Sequence, residues 1–132
     1  MSGVLVDSDV LIEVLRQRRP ELIRDWIRVV DADTPIFFSP VTLAEIRHGM
    51  RDRERDAIEG LFSGMTCVPI DGEIGGRAGD YLRSFHASHS VALGDALIAA
   101  AASVHNLELW TRNRRHFPMK DLRFFAPPTH TR

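Results

Sequence analysis

Lysine is almost missing from this 132-residue chain: Lys120 is the only one, against sixteen arginines. Arginine forks suit bidentate phosphate contacts, but a genome favouring arginine codons gives the same count, so a net charge of -1 identifies no nucleic-acid partner by itself. Cysteine is equally scarce. Cys67 stands alone, which excludes an internal disulfide, and within Thr66-Cys67-Val68-Pro69-Ile70 it reads as a buried strand residue rather than a reactive thiol. No apolar run approaches the ~20 residues that cross a bilayer, and the stretch from Gly3 to Ile12 is broken by Asp7 and Asp9, which spoils it as a signal-peptide core. A cytoplasmic protein with no membrane partner is therefore expected. A Gly-x-Gly-x-x-Gly loop is also missing. Gly72, Gly75, Gly76 and Gly79 follow a predicted strand without that order, so helix packing or local flexibility accounts for them and no nucleotide cofactor is expected. His86 and His89 are three apart with no third ligand at zinc spacing, so they read as exposed polar residues.

An apolar fraction of 44% and a charged fraction of 27% exclude disorder and leave one ordinary globular domain, residues 1–126, with a flexible tail at 127–132. Gly3–Asp7 is a short β-branched run ending on a carboxylate, as a buried central strand would. Val10, Leu11, Val14 and Leu15 then repeat at helical spacing, capped by Ser8 or Asp9. A second helix opens at Pro20 with Leu22, Ile23, Trp26, Ile27 and Val30 on its inner face. Ile36-Phe37-Phe38 is a second strand, and Ser39-Pro40 opens a helix over 41–50. The charged stretch 51–59 continues as a helix to about Phe62, ended by Ser63-Gly64. Strand Thr66–Ile70 follows, then a helix with Ile74, Ala78, Leu82 and Phe85 on one side. The alanine-rich helix 95–105 ends at Asn106. Strands at 107–110 and 122–125 complete a mostly parallel sheet of four to five strands in a three-layer α/β/α domain.

In such sheets the reactive groups lie outside the carboxyl ends of the strands. Asp7 ends the first strand, Glu45 lies on the helix after the second, Asp95 begins the helix before the fourth, and Asn113 follows the fourth. Carboxylates gathered in one pocket repel unless protons or a metal neutralise them, and oxygen ligands suit a hard divalent cation, Mg²⁺ or Mn²⁺. Each acid also has an ordinary account. Asp7 or Asp9 can cap a helix, Glu45 can form a capping box with Thr42, and Asp95 can favour a helix amino terminus.

Val4-Leu5-Val6-Asp7-Ser8-Asp9-Val10-Leu11-Ile12 resembles the opening motif of PIN-domain nucleases. Three further segments resemble the later motifs in family order: Ser39 to Gly49 around Glu45, Leu93-Gly94-Asp95-Ala96-Leu97-Ile98-Ala99-Ala100, and Trp110-Thr111-Arg112-Asn113-Arg114-Arg115-His116-Phe117. The whole pattern resembles the VapC-type toxins of bacterial toxin–antitoxin pairs. The resemblance implies hydrolysis of RNA by Mg²⁺ or Mn²⁺ held on Asp7, Glu45 and Asp95, leaving 5′-phosphate and 3′-hydroxyl ends. It also implies a cognate VapB-type antitoxin that folds over an apolar groove and sends a basic residue to the acidic pocket, and a homodimer. Trp26 and Phe37 would be shared between core and partner-facing positions. One departure stands out: Asn113 occupies the place where many PIN domains carry a fourth acid, which favours one strongly held ion. Asn113 would orient a water, and Asp9 would be either a hydrogen-bonding support or a surface cap. Arg112, Arg114, Arg115 and His116, on the same loop, would hold the RNA backbone, with Arg47 and His48 as weaker candidates.

Two other classes compete. Asp7-Ser8-Asp9 resembles the first motif of haloacid-dehalogenase-like phosphatases, in which Asp7 would form an aspartyl phosphate; that family needs a mid-chain lysine, and only Lys120 exists. A PIN-fold RNA- or protein-binding module without catalysis, its acids holding a structural ion, is the other.

Overall fold

The computed structural model describes residues 2–127. Of the expected tail at 127–132, all but the first residue lies outside that range. In chain order the elements are β1 (Val4–Val6), α1 (Ser8–Arg16), α2 (Pro20–Asp31), β2 (Ile36–Phe38), α3 (Pro40–Gly49), a 3-10 turn (Asp52–Glu54), α4 (Arg55–Ser63), β3 (Thr66–Cys67), α5 (Gly72–His89), α6 (Leu93–Val104), β4 (Glu108–Trp110), a second 3-10 turn (Arg114–His116) and β5 (Arg123–Phe124).

The five strands form one sheet in the order β3-β2-β1-β4-β5, and each neighbouring pair is parallel. β1 is central and buried on both faces, which is why its sequence is a continuous apolar run. Leu5 joins the core beneath α5 and α6, whereas Val4 and Val6 join the core on the opposite face with Val10, Leu11, Ile46 and Ile58. Period-two alternation thus divides one short strand between two cores. Five successive alanine-rich positions of α6, Ile98 to Ala102, are fully buried; small side chains let that helix lie close to the sheet.

The order of the strands positions the site. From β1 the chain moves outward through β2 to β3, then crosses back to lay β4 on the other flank of β1. The crevice outside the carboxyl ends of β1 and β4 is therefore the switch point, where an open parallel sheet leaves room for a ligand. Gly3 is needed at the entrance to β1, because a Cβ there would stand 2.6 Å from the Phe37 ring.

Four expectations need correcting. β3 is only Thr66–Cys67: Val68 still donates to Phe38 O at 2.8 Å, but Pro69 has no N–H with which to continue the ladder. Cys67 is exposed rather than buried, because β3 is the edge of the sheet. On α2 the inner face is carried by Leu22 and Val29, while Ile27 and Val30 stand 50% and 47% exposed. Trp26 is half-buried and stacks on Trp110 at 5.8 Å. Finally, Gly72, Gly75, Gly76 and Gly79 do not serve close packing, since a Cβ at any of them would meet nothing within 4 Å.

Candidate active site

Asp7 leaves β1 in extended conformation and caps α1; of the residues offered as caps, Asp7, Ser8 and Asp9, the structure uses Asp7. Its Oδ1 accepts the Ser8 N–H at 2.8 Å, and its Oδ2 accepts the Thr111 hydroxyl at 2.9 Å. Its own N–H donates to Trp110 O at 2.9 Å. The carboxylate is thereby fixed between the ends of β1 and β4. Burial pushes its pKa up, opposed by the Thr111 and Ser8 hydrogen bonds and by the charge of His116.

Glu45 comes from α3, which begins at Pro40 because Ser39 accepts the Val41 N–H at 3.1 Å. The capping-box reading fails, as Thr42 lies inside the helix, fully buried, with its hydroxyl unpartnered among the described residues. Ser8 Oγ instead donates to Glu45 Oε1 at 3.0 Å, tying α1 to α3. Asp95 lies in the first turn of α6, so the helix-dipole account of it also holds. What lets α6 approach α3 is Gly94: a Cβ there would be 3.3 Å from Val41 and 4.0 Å from Glu45 Oε2.

The three acids act on one another. Burial first, then the charges of Asp7 and Asp95, push Glu45 up; burial, then the charge of Asp7, push Asp95 up. Among the described residues, no three Asp, Glu, His or Cys side chains already stand close enough to enclose an ion. The arrangement is an open acidic pocket with electrostatic repulsion left in it. All-oxygen donors whose charged forms are disfavoured until something neutralises them match the chemistry of a hard divalent cation.

Asp9 is no surface cap. Its Oδ2 accepts the Arg112 N–H at 3.1 Å and lies 3.4 Å from the Thr111 hydroxyl, and burial together with the neighbouring charge of Asp7 pushes its pKa up to about 6. Asn113 sits where the 3-10 turn begins; its N–H donates to Thr111 Oγ1 at 3.1 Å, and its Nδ2 is 3.1 Å from His116 Nε2. His116 Nδ1 in turn lies 3.7 Å from Asp95 Oδ2. The loop after β4 thus reaches the pocket through His116 beside Asp95.

The four basic residues expected to hold RNA divide by what they touch. Arg112 is engaged with Glu13, Arg114 lies over the Phe124 ring at 4.8 Å, and His116 faces Asp95. All four are exposed, and Arg115 lines the open cleft with Asp9, Thr111 and Asn113, as do Arg112 and Arg114. Arg47 and His48 are exposed near the end of α3. Sequence reasoning missed Ser8, Glu13 and Thr111. The only available signal was their position beside motif acids, since hydroxyls and a glutamate on an amphipathic helix look ordinary.

The profile described as PIN domain matches residues 4–122. Ribonuclease VapC10 of Mycobacterium tuberculosis is 44% identical over 117 residues, covering 88% of this chain and 86% of that protein. Among solved structures, a toxin–antitoxin complex from Klebsiella pneumoniae matches with a TM-score of 0.73 at 25% identity, covering 96% of this chain and 98% of its own. DNA-bound VapBC from Salmonella typhimurium matches with a TM-score of 0.77 at 20% identity, covering 95% and 98%; that likeness concerns the fold.

Proposed function

The chain belongs to the PIN-domain family, among its VapC-type members, and from this we propose that it is an endoribonuclease toxin silenced by a cognate VapB-type antitoxin. The observation that carries the reading is that Asp7, Glu45 and Asp95, from three separate elements around the β1/β4 switch point, lie within electrostatic reach of one another: besides desolvation, the charges of Asp7 and Asp95 push Glu45 up and that of Asp7 pushes Asp95 up. These residues would hold Mg²⁺ or Mn²⁺. When bound, the ion supplies charge neutralisation at phosphorus and lowers the pKa of a coordinated water.

The remaining work falls to the chain's own groups. Thr111 and the Ser8 N–H hold Asp7 in one rotamer, and Ser8 Oγ holds Glu45, so the carboxylates need little reorganisation when substrate arrives. Asn113 and His116 stand at the mouth of the pocket, where an amide and an imidazole can orient a water or a phosphoryl oxygen. Arg115, exposed beside Asn113, would steady the RNA backbone.

Antitoxin control has a site to act on. Ile12, Leu15, Ile46, Met50 and Ile58 floor a cleft between α1, α3 and α4 that opens on Glu45, so an apolar segment seated there could turn a basic side chain towards the acids. A homodimer completes the proposal, to be checked by light scattering. The decisive experiment is Mn²⁺-dependent cleavage of single-stranded RNA by wild type and by Asp7→Asn. The variant should fold and bind less Mn²⁺ by calorimetry, and its rate should fall at least ~100-fold, a loss of roughly 3 kcal/mol in transition-state stabilisation. Phosphate release from small esters with RNA spared would replace this reading by a phosphatase. Binding of RNA with no cleavage would replace it by a binding module.

A further inference from the structure

Asp7 and Glu13 are the only charged residues buried among those described, and Glu13 lies outside the acidic pocket. It sits on α1, four residues after Asp9, so the two acids share one helix face. Arg18 donates to Glu13 from Nη2 at 2.7 Å and from Nε at 3.3 Å. Arg19 Nε and Arg112 Nη1 each stand 3.8 Å away. The Arg18 hydrogen bond above all, then the charges of Arg18, Arg112 and Arg19, hold the Glu13 carboxyl below its ordinary range.

Arg18 and Arg19 are local, in the connection between α1 and α2; Arg112 comes from the far end of the chain. The main chain of Arg112 is also taken, since its N–H donates to Asp9 at 3.1 Å. One residue of the loop therefore meets two acids one helical turn apart, through a main-chain hydrogen bond to Asp9 and a 3.8 Å charge contact with Glu13. From there the loop runs through Asn113, bonded to Thr111, to His116 beside Asp95.

We infer that Glu13 is a positioning residue for the site: by gripping Arg112 it sets where Asn113 and His116 stand over the acidic pocket, and it governs the rate of cleavage without touching RNA. The inference rests on the ribonuclease reading. A buried carboxylate contributes little stability that an apolar side chain would not, once its desolvation is counted. What the charge adds is direction, because it draws the Arg112 guanidinium to within 3.8 Å from the far end of the chain. The local contacts with Arg18 serve helix α1; only Arg112 carries the effect to the loop.

The test measures amide hydrogen exchange over residues 111–116, and single-turnover cleavage of a dual-labelled single-stranded RNA of randomised sequence with Mn²⁺. It compares wild type, Glu13→Gln, Arg112→Gln, their double variant and Arg18→Ala. Glu13→Gln and Arg112→Gln should each speed exchange at Arg112 and Asn113 and slow cleavage, both on the order of tenfold, and in Glu13→Gln, which leaves the cleft's cations in place, the RNA concentration for half-maximal rate should change little. The double variant should be no worse than the worse single one, because both remove the same link. Arg18→Ala should lower Tm and leave loop exchange and rate as in wild type. Normal loop exchange in Glu13→Gln with a lower Tm would overturn the inference, as would additive losses in the double variant. If Glu13→Gln does not fold, Arg112→Gln reads the same link from its other end, and unchanged exchange there is equally fatal. Should wild type cleave no RNA, the ribonuclease reading falls, and the exchange measurements alone decide whether Glu13 anchors the loop.

Discussion

A single hydroxyl, that of Thr111, reaches two carboxylates, donating to Asp7 Oδ2 at 2.9 Å and lying 3.4 Å from Asp9 Oδ2. Its oxygen also accepts the Asn113 N–H at 3.1 Å. Thr111→Val keeps the shape of the side chain and removes all three contacts, leaving the carboxylates of buried Asp7 and half-buried Asp9 to repel each other. We expect a loss of about 1–3 kcal/mol in unfolding free energy and a drop of ~10- to 100-fold in Mn²⁺ affinity, as when a group supporting a metal ligand is removed. Denaturant titration and calorimetry read the two effects separately. Unchanged Mn²⁺ affinity would show that Asp7 needs no such support. Threonine at a strand end is unremarkable as sequence, which is why this residue was not legible. By contrast Asp7 and Asp95 stand out as acids at a strand end and a helix start, while Glu45, in the middle of α3, was singled out only with the help of the motif resemblance.

Among the helices, α5 shows how local composition misleads. Four glycines in its first eight residues looked like a device for packing or flexibility, yet none faces a neighbour. Gly76 is exposed in the helix interior, so Gly76→Ala should raise stability by roughly 0.5–1 kcal/mol through a less free unfolded chain. Thermal denaturation checks this, and a fall in Tm would mean that the open space is used. Gly94 is the opposite case, since its missing side chain is what lets α6 sit against α3. The helix spans themselves were legible from Pro at the start, Gly or Asn at the end and 3.6-residue spacing between. Asn106, for instance, takes the left-handed conformation (φ 55) just past α6, as its place in the sequence implied. The face of α2 was not legible, because an apolar residue at almost every third position allows more than one inward side until the neighbouring helix is known.

Across the fold, the acidic pocket is an electrostatic load carried by the protein at neutral pH. An unfolded aspartate releases its proton near 3.8, whereas Asp9 in the folded chain holds it to about 6. Between those values the folded state binds the extra proton, so Asp9 costs stability progressively as pH rises through this window. Asp9→Asn, which can still accept the Arg112 N–H, should match wild type below the window and exceed its Tm increasingly across it, with EDTA present. Scanning fluorimetry over pH measures the difference, and parallel curves would refute it. Glu45 and Asp95 shift the same way, so added Mn²⁺ should raise Tm more above pH 6 than below pH 4.

Short-range physics is written along the chain, and it decided the alternation of strands and helices and the parallel sheet; the three acids were singled out by their places along that sheet together with the resemblance to PIN-domain motifs. A β-branched run, a capping serine or a proline at a helix start acts on its immediate neighbours, so it can be read without coordinates. The length and exposure of β3, the inward side of α2 and the clamp of Asp9 and Glu13 on Arg112 depended on which distant segment lay alongside. Those outcomes come from contacts between residues from about thirty to about a hundred positions apart, as in Phe37 with Thr66 and Asp9 with Arg112, which only the folded chain brings together.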